Sequence, residues 1–504
     1  MPRHKMHGRG IPMGRDAVST VNTMDASAIP DGPHPIVDKS LNFTAKNISH
    51  STPRIIKVLP NSGSQNATLG VGAGPEVLFN TPATNAIIFG RSWLAFTTTP
   101  VAQGANNFTY QQMLGWAWIN RLELQTQSGQ YLAQIAWVSN ITNMLFPVTV
   151  PLSRMLDADT GYGTTTAVGV ATGMRRTNSL YPTGSATTGT FGIRADGYAT
   201  ADSSRLSYTD IQDLETGSAN AIAPVIAWQL PFSYLTGSIF ATKQSILFDE
   251  ILTLRLVFES VTKAAFQALV NVGTPALYAG AVTVSGITLW LAVERSMEVV
   301  DRLREMNRRE SGTQILLPWW QTYKQNLSGS TQTLTCRMNQ SQGHHLKRVI
   351  SAAYSATETG STAFLSTNIN NTMPGGYNVT SSYSQLDSVR LQDTNLTSAD
   401  GLDWQTFQPK LKGSAIQNQN SFQYHWCFID DWTNSTSICE DEEPIVGDTP
   451  KDNIIDGISL GPVDRIYTVT ANTANTLAAN GGNWYTLAQT QKWLFINSQG
   501  TQVV

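Results

Sequence analysis

Where the chain shows a pattern at all, apolar and polar residues alternate. In ILTLRLVFES, Leu252, Leu254, Leu256 and Phe258 fall on one face, with Thr253, Arg255 and Glu259 on the other. In GITLWLAVE, Ile287, Leu289, Leu291 and Val293 alternate with Thr288, Trp290 and Ala292. In TQTLTCRMN, Leu334, Cys336 and Met338 alternate with Thr333, Thr335 and Arg337. A period of two with one polar face predicts antiparallel strands covered on one side. Further strands are predicted at Arg54–Leu59, Ala86–Phe96, Trp116–Leu124, Val225–Leu230, Leu346–Tyr354, Gln423–Ile429 and Trp493–Ile496. The abundant Thr fits, because a β-branched side chain suits a solvated strand face.

One segment breaks the pattern. From Glu294 to Glu310, 10 of 17 residues are charged, against 14% for the whole chain. Met297, Val300, Leu303 and Met306 recur every three residues as a narrow apolar stripe. Glu298–Arg302 and Glu305–Arg309 are favourable i,i+4 pairs, and Ser311-Gly312 reads as a stop. The spacing predicts one exposed helix between two β domains. The stretch Asp157–Thr216 differs again, being rich in Gly, Thr, Ser and Ala. It is expected to be a long excursion between strands of the first domain. No repeat of 20 to 50 residues appears, which removes propellers and solenoids. The stretches flanking the helix each have the length of a β-sandwich with long loops.

Composition narrows the class. The chain has 504 residues, 41% of them hydrophobic, with 13 Trp and net charge −3, so it can build a core and is not disordered. A pI near 6.2 argues against a generic nucleic-acid binder. No apolar run is long enough for a transmembrane helix, and the basic start MPRHKMHGRGIPMGRD has no apolar core of a secretion signal. Three cysteines, Cys336, Cys427 and Cys439, give neither a disulfide framework nor a four-ligand zinc site. The spacing allows a Cys427–Cys439 bridge, but reduced loop residues are the expectation.

The search for chemistry finds no catalytic constellation. P-loop, HExxH and G-x-S-x-G motifs are missing from the sequence. GVGAGP (Gly70, Gly72, Gly74) has the wrong spacing for a dinucleotide fingerprint and reads as a turn. Asp157 and Asp159 in DADTGYG only faintly suggest a calcium loop, since Val168 stands where its bidentate Glu would be. Adjacent His344 and His345 would point to opposite faces of a strand. The acidic run Glu440–Glu443 reads as a surface loop. Trp319 and Trp320, after Pro318, are candidate aromatics at a domain or subunit interface. Sequons at Asn42, Asn140, Asn378 and Asn395 are expected by chance in so Asn- and Thr-rich a chain. No cofactor or metal is expected. A structural protein fits better than an enzyme.

The order of segments supports a more specific reading. The strands DEILTLRLVFES and VSGITLWLAVE precede the charged connector, then LSGSTQTLTCRMNQSQGHHLKRVISAAYSATETGS and SSYSQLDSVRLQDTNLTSADGLDW. Ser245–Glu294, Gln325–Ser361 and Ser381–Trp404 together resemble the double jelly-roll major capsid proteins of eukaryotic double-stranded DNA viruses, of the polinton-like virus and virophage type. No single motif is diagnostic, and neither Asp157–Thr216 nor the region after Asp430 matches the family. The two halves share no visible sequence similarity.

That resemblance implies an all-β double jelly roll, two eight-stranded β-sandwich domains with a short connecting helix. Its divisions would be an arm at 1–40, a first jelly roll at 41–293 carrying the loop 157–216, a linker at 294–312 and a second jelly roll at 313–504. It implies homotrimers of pseudo-hexagonal outline, capsomer-to-capsomer contacts in an icosahedral shell, and penton and minor capsid proteins as partners. The location implied is the virion, after synthesis in the host cytoplasm. The basic arm, with Arg3, Lys5, Arg9 and Arg15 ahead of the first acid, would face the interior and touch an internal membrane or the genome. The alternative class is a β-sandwich surface adhesin or lectin-like binding protein.

Overall fold

The computed structural model describes residues 53–61, 65–72, 74–100, 106–110, 115–149, 162–164, 225–261, 265–269, 276–277, 280–310, 312–327, 332–338, 345–355, 378–386, 389–390, 428–433, 458–459, 463–470 and 482–504. Sixteen main strands form two sandwiches. The first holds β1 (Arg54–Val58), β2 (Glu76–Asn80), β3 (Trp93–Pro100), β4 (Ile119–Thr126), β5 (Tyr131–Ala136), β6 (Val225–Pro231), β7 (Leu252–Phe258) and β8 (Val282–Val293). One of its sheets runs β1-β8-β3-β6 and the other β2-β7-β4-β5. The second sandwich holds β9 (Thr313–Leu327), β10 (Gln332–Met338), β11 (His345–Ser355), β12 (Asn378–Leu386), β13 (Val389–Arg390), β14 (Phe428–Asp431), β15 (Val463–Thr470) and β16 (Gly482–Asn497). Its sheets run β9-β16-β11-β14 and β10-β15-β12-β13.

The two orders are the same permutation of eight consecutive strands. In each sandwich the first strand pairs the last, the second pairs the seventh, and all of these pairs are antiparallel. That is the jelly-roll arrangement, made twice by one chain. The fold is an all-β double jelly roll, although no sequence similarity between the halves announces the repetition.

Alternation positions the core as expected. In β7 the pattern buried–half-buried repeats without a fault from Leu252 to Phe258. In β8 the register slips between Ser285 and Thr288 opposite β3, a bulge at Gly286. Leu334 and Cys336 of β10 are buried while Thr333 and Thr335 are exposed. Two predicted strands begin later than expected. Phe89–Arg91 and Gly115–Trp118 are single 3-10 turns ahead of β3 and β4. Short apolar runs do not distinguish a buried turn from a strand, and Gly90 sits against the Ala241 carbonyl where extended pairing would need room. Of Gln423–Ile429, only the last two residues lie among those described, and they open β14.

The charged segment forms helix α2 (Met297–Asn307), with the Ser296 hydroxyl accepting from the Val299 N–H as its N-cap. A stripe spaced by three drifts about 60° per step around a helix of 3.6 residues per turn. Only its middle therefore packs. Val300 is 3% exposed and sits on Ala86 and Leu247, whereas Met297 and Met306 are 66% and 42% exposed. Glu298 and Arg302 pair at 2.6 Å. Arg304 reaches Asp301 at 3.0 Å and Asp249 at 3.6 Å.

Helix α1 (Val138–Thr149) follows β5. The β3–β4 and β7–β8 connections meet at the same end, where Asn106–Tyr110 pairs Ala265–Leu269. The β5–β6 connection leaves from that end too and contains the predicted excursion 157–216, of which only Tyr162–Thr164 lies among the described residues. That short strand extends the sheet beyond β6. The entry to β1, helix α2 and the end of β16 gather at the opposite end, since Arg54 pairs Val293 and Thr313 pairs Ile496.

Candidate functional site: the seam between the sandwiches

The built polar geometry lies where one sandwich meets the other. Strand β16 is buried over its first ten residues, Gly482 to Gln491, so both of its faces are covered. One face looks into its own sandwich: the Thr486 hydroxyl lies 2.9 Å from Ser351 Oγ and 3.4 Å from Cys336 Sγ. The other face carries Tyr485, Leu487 and Gln489. In register beside it stand Trp320 of β9 and Ile350, Ala352 and Tyr354 of β11. This second face packs on the first sandwich, and the apolar residues of both belong to one continuous core.

Side-chain hydrogen bonds cross the seam. Trp320 Nε1 donates to the Thr236 carbonyl at 3.0 Å, and Gln489 Nε2 donates to the same oxygen at 2.7 Å. The Tyr354 hydroxyl donates to the Asn140 carbonyl at 2.7 Å. The Trp137 ring meets Tyr485 at 5.8 Å and 67°, and Tyr485 meets Tyr354 edge-on at 5.3 Å. Trp137 itself has φ 53, a left-handed backbone that a bulky residue holds only where its surroundings over-determine it. The linker is fastened as well: Asn307 donates to the Leu247 carbonyl at 2.8 Å and accepts from Thr313 Oγ1 at 2.7 Å.

The two candidate aromatics separate at this seam. As neighbours on a strand they face opposite ways. Trp320, 3% exposed, joins the two sandwiches, while Trp319, 7% exposed, points to the other side. There the Lys492 ammonium sits 3.9 Å from the centre of the Trp319 ring. Burial pushes the Lys492 amine below the ordinary lysine value. Both rings are largely buried within the single chain.

A second charged array lies on the outer face of the β2-β7-β4-β5 sheet. Arg255 reaches Glu76 at 2.7 Å and Glu123 at 3.0 Å, and Arg121 reaches Glu123 at 2.5 Å. Glu76 first, and Glu123 next, hold the Arg255 guanidinium above its ordinary value. The Glu123 side chain is only 3% exposed although it lies on the solvent face, because the two arginines and Gln134 cover it. Alternation marks this residue as solvent-facing and cannot reveal that shield.

Among the described residues, the remaining sequence candidates do not converge on a catalytic or binding centre. Gly74 packs against the Phe258 carbonyl, a close approach in a turn. Asn140 is fully buried in α1, so its sequon is inaccessible in the folded chain. His345 pairs Ser459 and Gln491 through its backbone. Among the described residues no group of three His, Cys, Asp or Glu could hold a metal, and no helix is long and apolar enough to cross a membrane. The arm residues Arg3, Lys5, Arg9 and Arg15 lie outside the described residues. So do Asp157, Asp159, His344, Cys427, Cys439, Asn42, Asn395 and the run Glu440–Glu443.

No family model matches the chain, and no curated protein resembles it in sequence. Solved structures do resemble it in fold. The crystal structure of PBCV-1 VP54, fitted into a cryo-EM reconstruction of the virophage Sputnik, superposes with a TM-score of 0.51 at 11% identity, over 90% of this chain and 97% of that one. The cryo-EM structure of the Sputnik virophage superposes with a TM-score of 0.50 at 9% identity, over 96% of this chain and 92% of that one. The likeness spans both sandwiches and defines a fold class.

Proposed function

We propose that the chain is a major capsid protein, a structural subunit that trimerises into pseudo-hexagonal capsomers of an icosahedral virion and performs no catalysis. The observation that carries this reading is the doubled jelly roll in one chain, matched over nearly its whole length by VP54 as fitted into a virophage particle. In this reading residues 41–293 and 313–504 are the two jelly rolls and 294–312 is the linker. The connection that contains 157–216 leaves α1 at the end opposite α2, and β1 begins at the α2 end.

The surfaces suit that role. The outer face of the β1-β8-β3-β6 sheet carries Thr97, Thr283, Ser285, Gln229 and the stacked pair Trp93 and Trp290, 5.9 Å apart. Apart from Lys57, whose ammonium lies 5.6 Å from the centre of the Trp290 ring, these side chains can be buried laterally without desolvating ions. Homotrimer contacts, then capsomer contacts, are the first partners. Penton and minor capsid proteins follow, and the basic arm is directed at an internal membrane or the genome.

Light scattering and negative-stain imaging of purified protein test the reading. Particles of about three times 54.9 kDa, with hexagonal outline, are expected to survive dilution to the nanomolar range, as large obligate interfaces do. A stable monomer at every concentration would overturn it. Deleting residues 1–20 is expected to leave the trimer intact and to reduce shell assembly or packaging.

A further inference from the structure

We propose that the second sandwich is not an autonomous folding unit: helix α1 and the Thr236 turn of the first sandwich complete it, and the angle between the two is set when the chain folds. The argument begins with what each face of β16 buries. Toward its own second sheet the strand presents Thr486, bonded to Ser351 and Cys336. Toward the first sandwich it presents Tyr485 and Leu487, flanked by Ile350, Ala352, Tyr354 and Trp320. That second, more apolar face would be a continuous exposed patch on a solitary second sandwich. Three of its polar groups, on Trp320, Gln489 and Tyr354, would lose the carbonyls they bond.

The dependence is mutual. The described side chains of helix α1 are buried, from Ser139 and Asn140 through Ile141, Met144, Leu145 and Phe146 to Thr149. A helix that buries side chains on more than one face needs cover on each of them. On one side Phe146 packs on Tyr234 of the first sandwich at 5.7 Å. On the other side the chain meets Tyr354 and Tyr485. Its hydroxyls bond inside the chain, Thr142 donating to the Val138 carbonyl, Thr149 to that of Leu145, and Ser139 to the Glu259 carboxylate of the first sandwich at 3.0 Å. Together with the Asn307 latch on the linker, this leaves no hinge between the sandwiches. Changes of surface curvature in any assembly would then arise between chains, not within one.

Urea unfolding of the full-length, unassembled chain, followed by hydrogen-exchange mass spectrometry, tests this independently of the capsid reading. Peptides from β7 and from β11 and β16 are expected to unfold at one midpoint, with opening constants agreeing within about threefold, as for one cooperative unit. The variant Tyr354→Phe is expected to lower both midpoints by the same amount. If β11 and β16 open at lower urea while β7 stays protected, in the native chain or in the variant, the proposal is overturned. The native-chain measurement decides even where the variant fails to fold.

Discussion

The side chains of Trp320 and Gln489, on adjacent strands of the second sandwich, converge on one acceptor, the backbone carbonyl of Thr236 in the first. A carbonyl has two lone pairs, and here both donors come from the far side of a domain boundary. Trp320→Phe keeps an aromatic ring and removes one donor, so a loss of about 1 kcal/mol is expected. Trp319→Phe, one residue away, also trims a buried ring, and the weakened contact with Lys492 is expected to add a loss of only about 0.5 kcal/mol. Urea midpoints of the two variants, measured side by side, check the order.

Gly237 makes the close approach at this seam possible. Its φ is 75, and a Cβ there would lie 2.7 Å from the Gln489 side-chain amide. Gly237→Ala is expected to destabilise by about 1–3 kcal/mol through backbone strain, with the clash in addition. Gly70 has open space around it, so Gly70→Ala is expected to be neutral or to stabilise by about 0.4–1 kcal/mol. Thermal unfolding of both variants separates position from residue type.

The array on the outer sheet predicts unequal roles for two acids that touch one arginine. Glu123 is shielded and Glu76 is exposed. Glu123→Gln weakens its bonds with two arginines in a covered site, and a loss of about 1–3 kcal/mol is expected. Glu76→Gln should change stability by less than about 1 kcal/mol, as exposed pairs do. Equal losses in chemical denaturation would contradict this account of the shield.

Lys492 predicts a pH dependence with a definite sign. Burial disfavours its charged form, so the folded chain binds this proton less tightly than the unfolded chain. Stability from this group therefore rises with pH, through the window between the lowered folded value and the ordinary lysine value. Relative to Lys492→Met, the native chain is expected to gain stability between neutral pH and about pH 10.4. Amine titration by NMR, with unfolding at matched pH values, checks both the direction and the window.

Much of the architecture was legible in the chain. The period of two placed β7, β8 and β10 with the correct faces inward, because one residue of slip would turn every apolar side chain to water. The charge density of 294–310 announced a surface helix, and the order of segments around it indicated two jelly rolls. The local reading erred where short apolar runs turned out to be 3-10 turns, at Phe89–Arg91 and Gly115–Trp118.

The seam was not legible. Gln489 and Thr236 lie 253 residues apart, and nothing local to either marks it as a partner of the other. Alternation along β16 identifies two faces but cannot say that both are covered, nor that Glu123 on an outer face is shielded by its neighbours. By itself the sequence determined which residues alternate, where the helix falls and which chemistries are missing, since these depend on covalent spacing and side-chain type. Only the tertiary structure decided which of Trp319 and Trp320 faces the first sandwich, that Gly237 must lack a side chain and that α1 stands between two sandwiches. Those outcomes follow from which surfaces approach one another, and close packing makes each approach specific to within a methyl group.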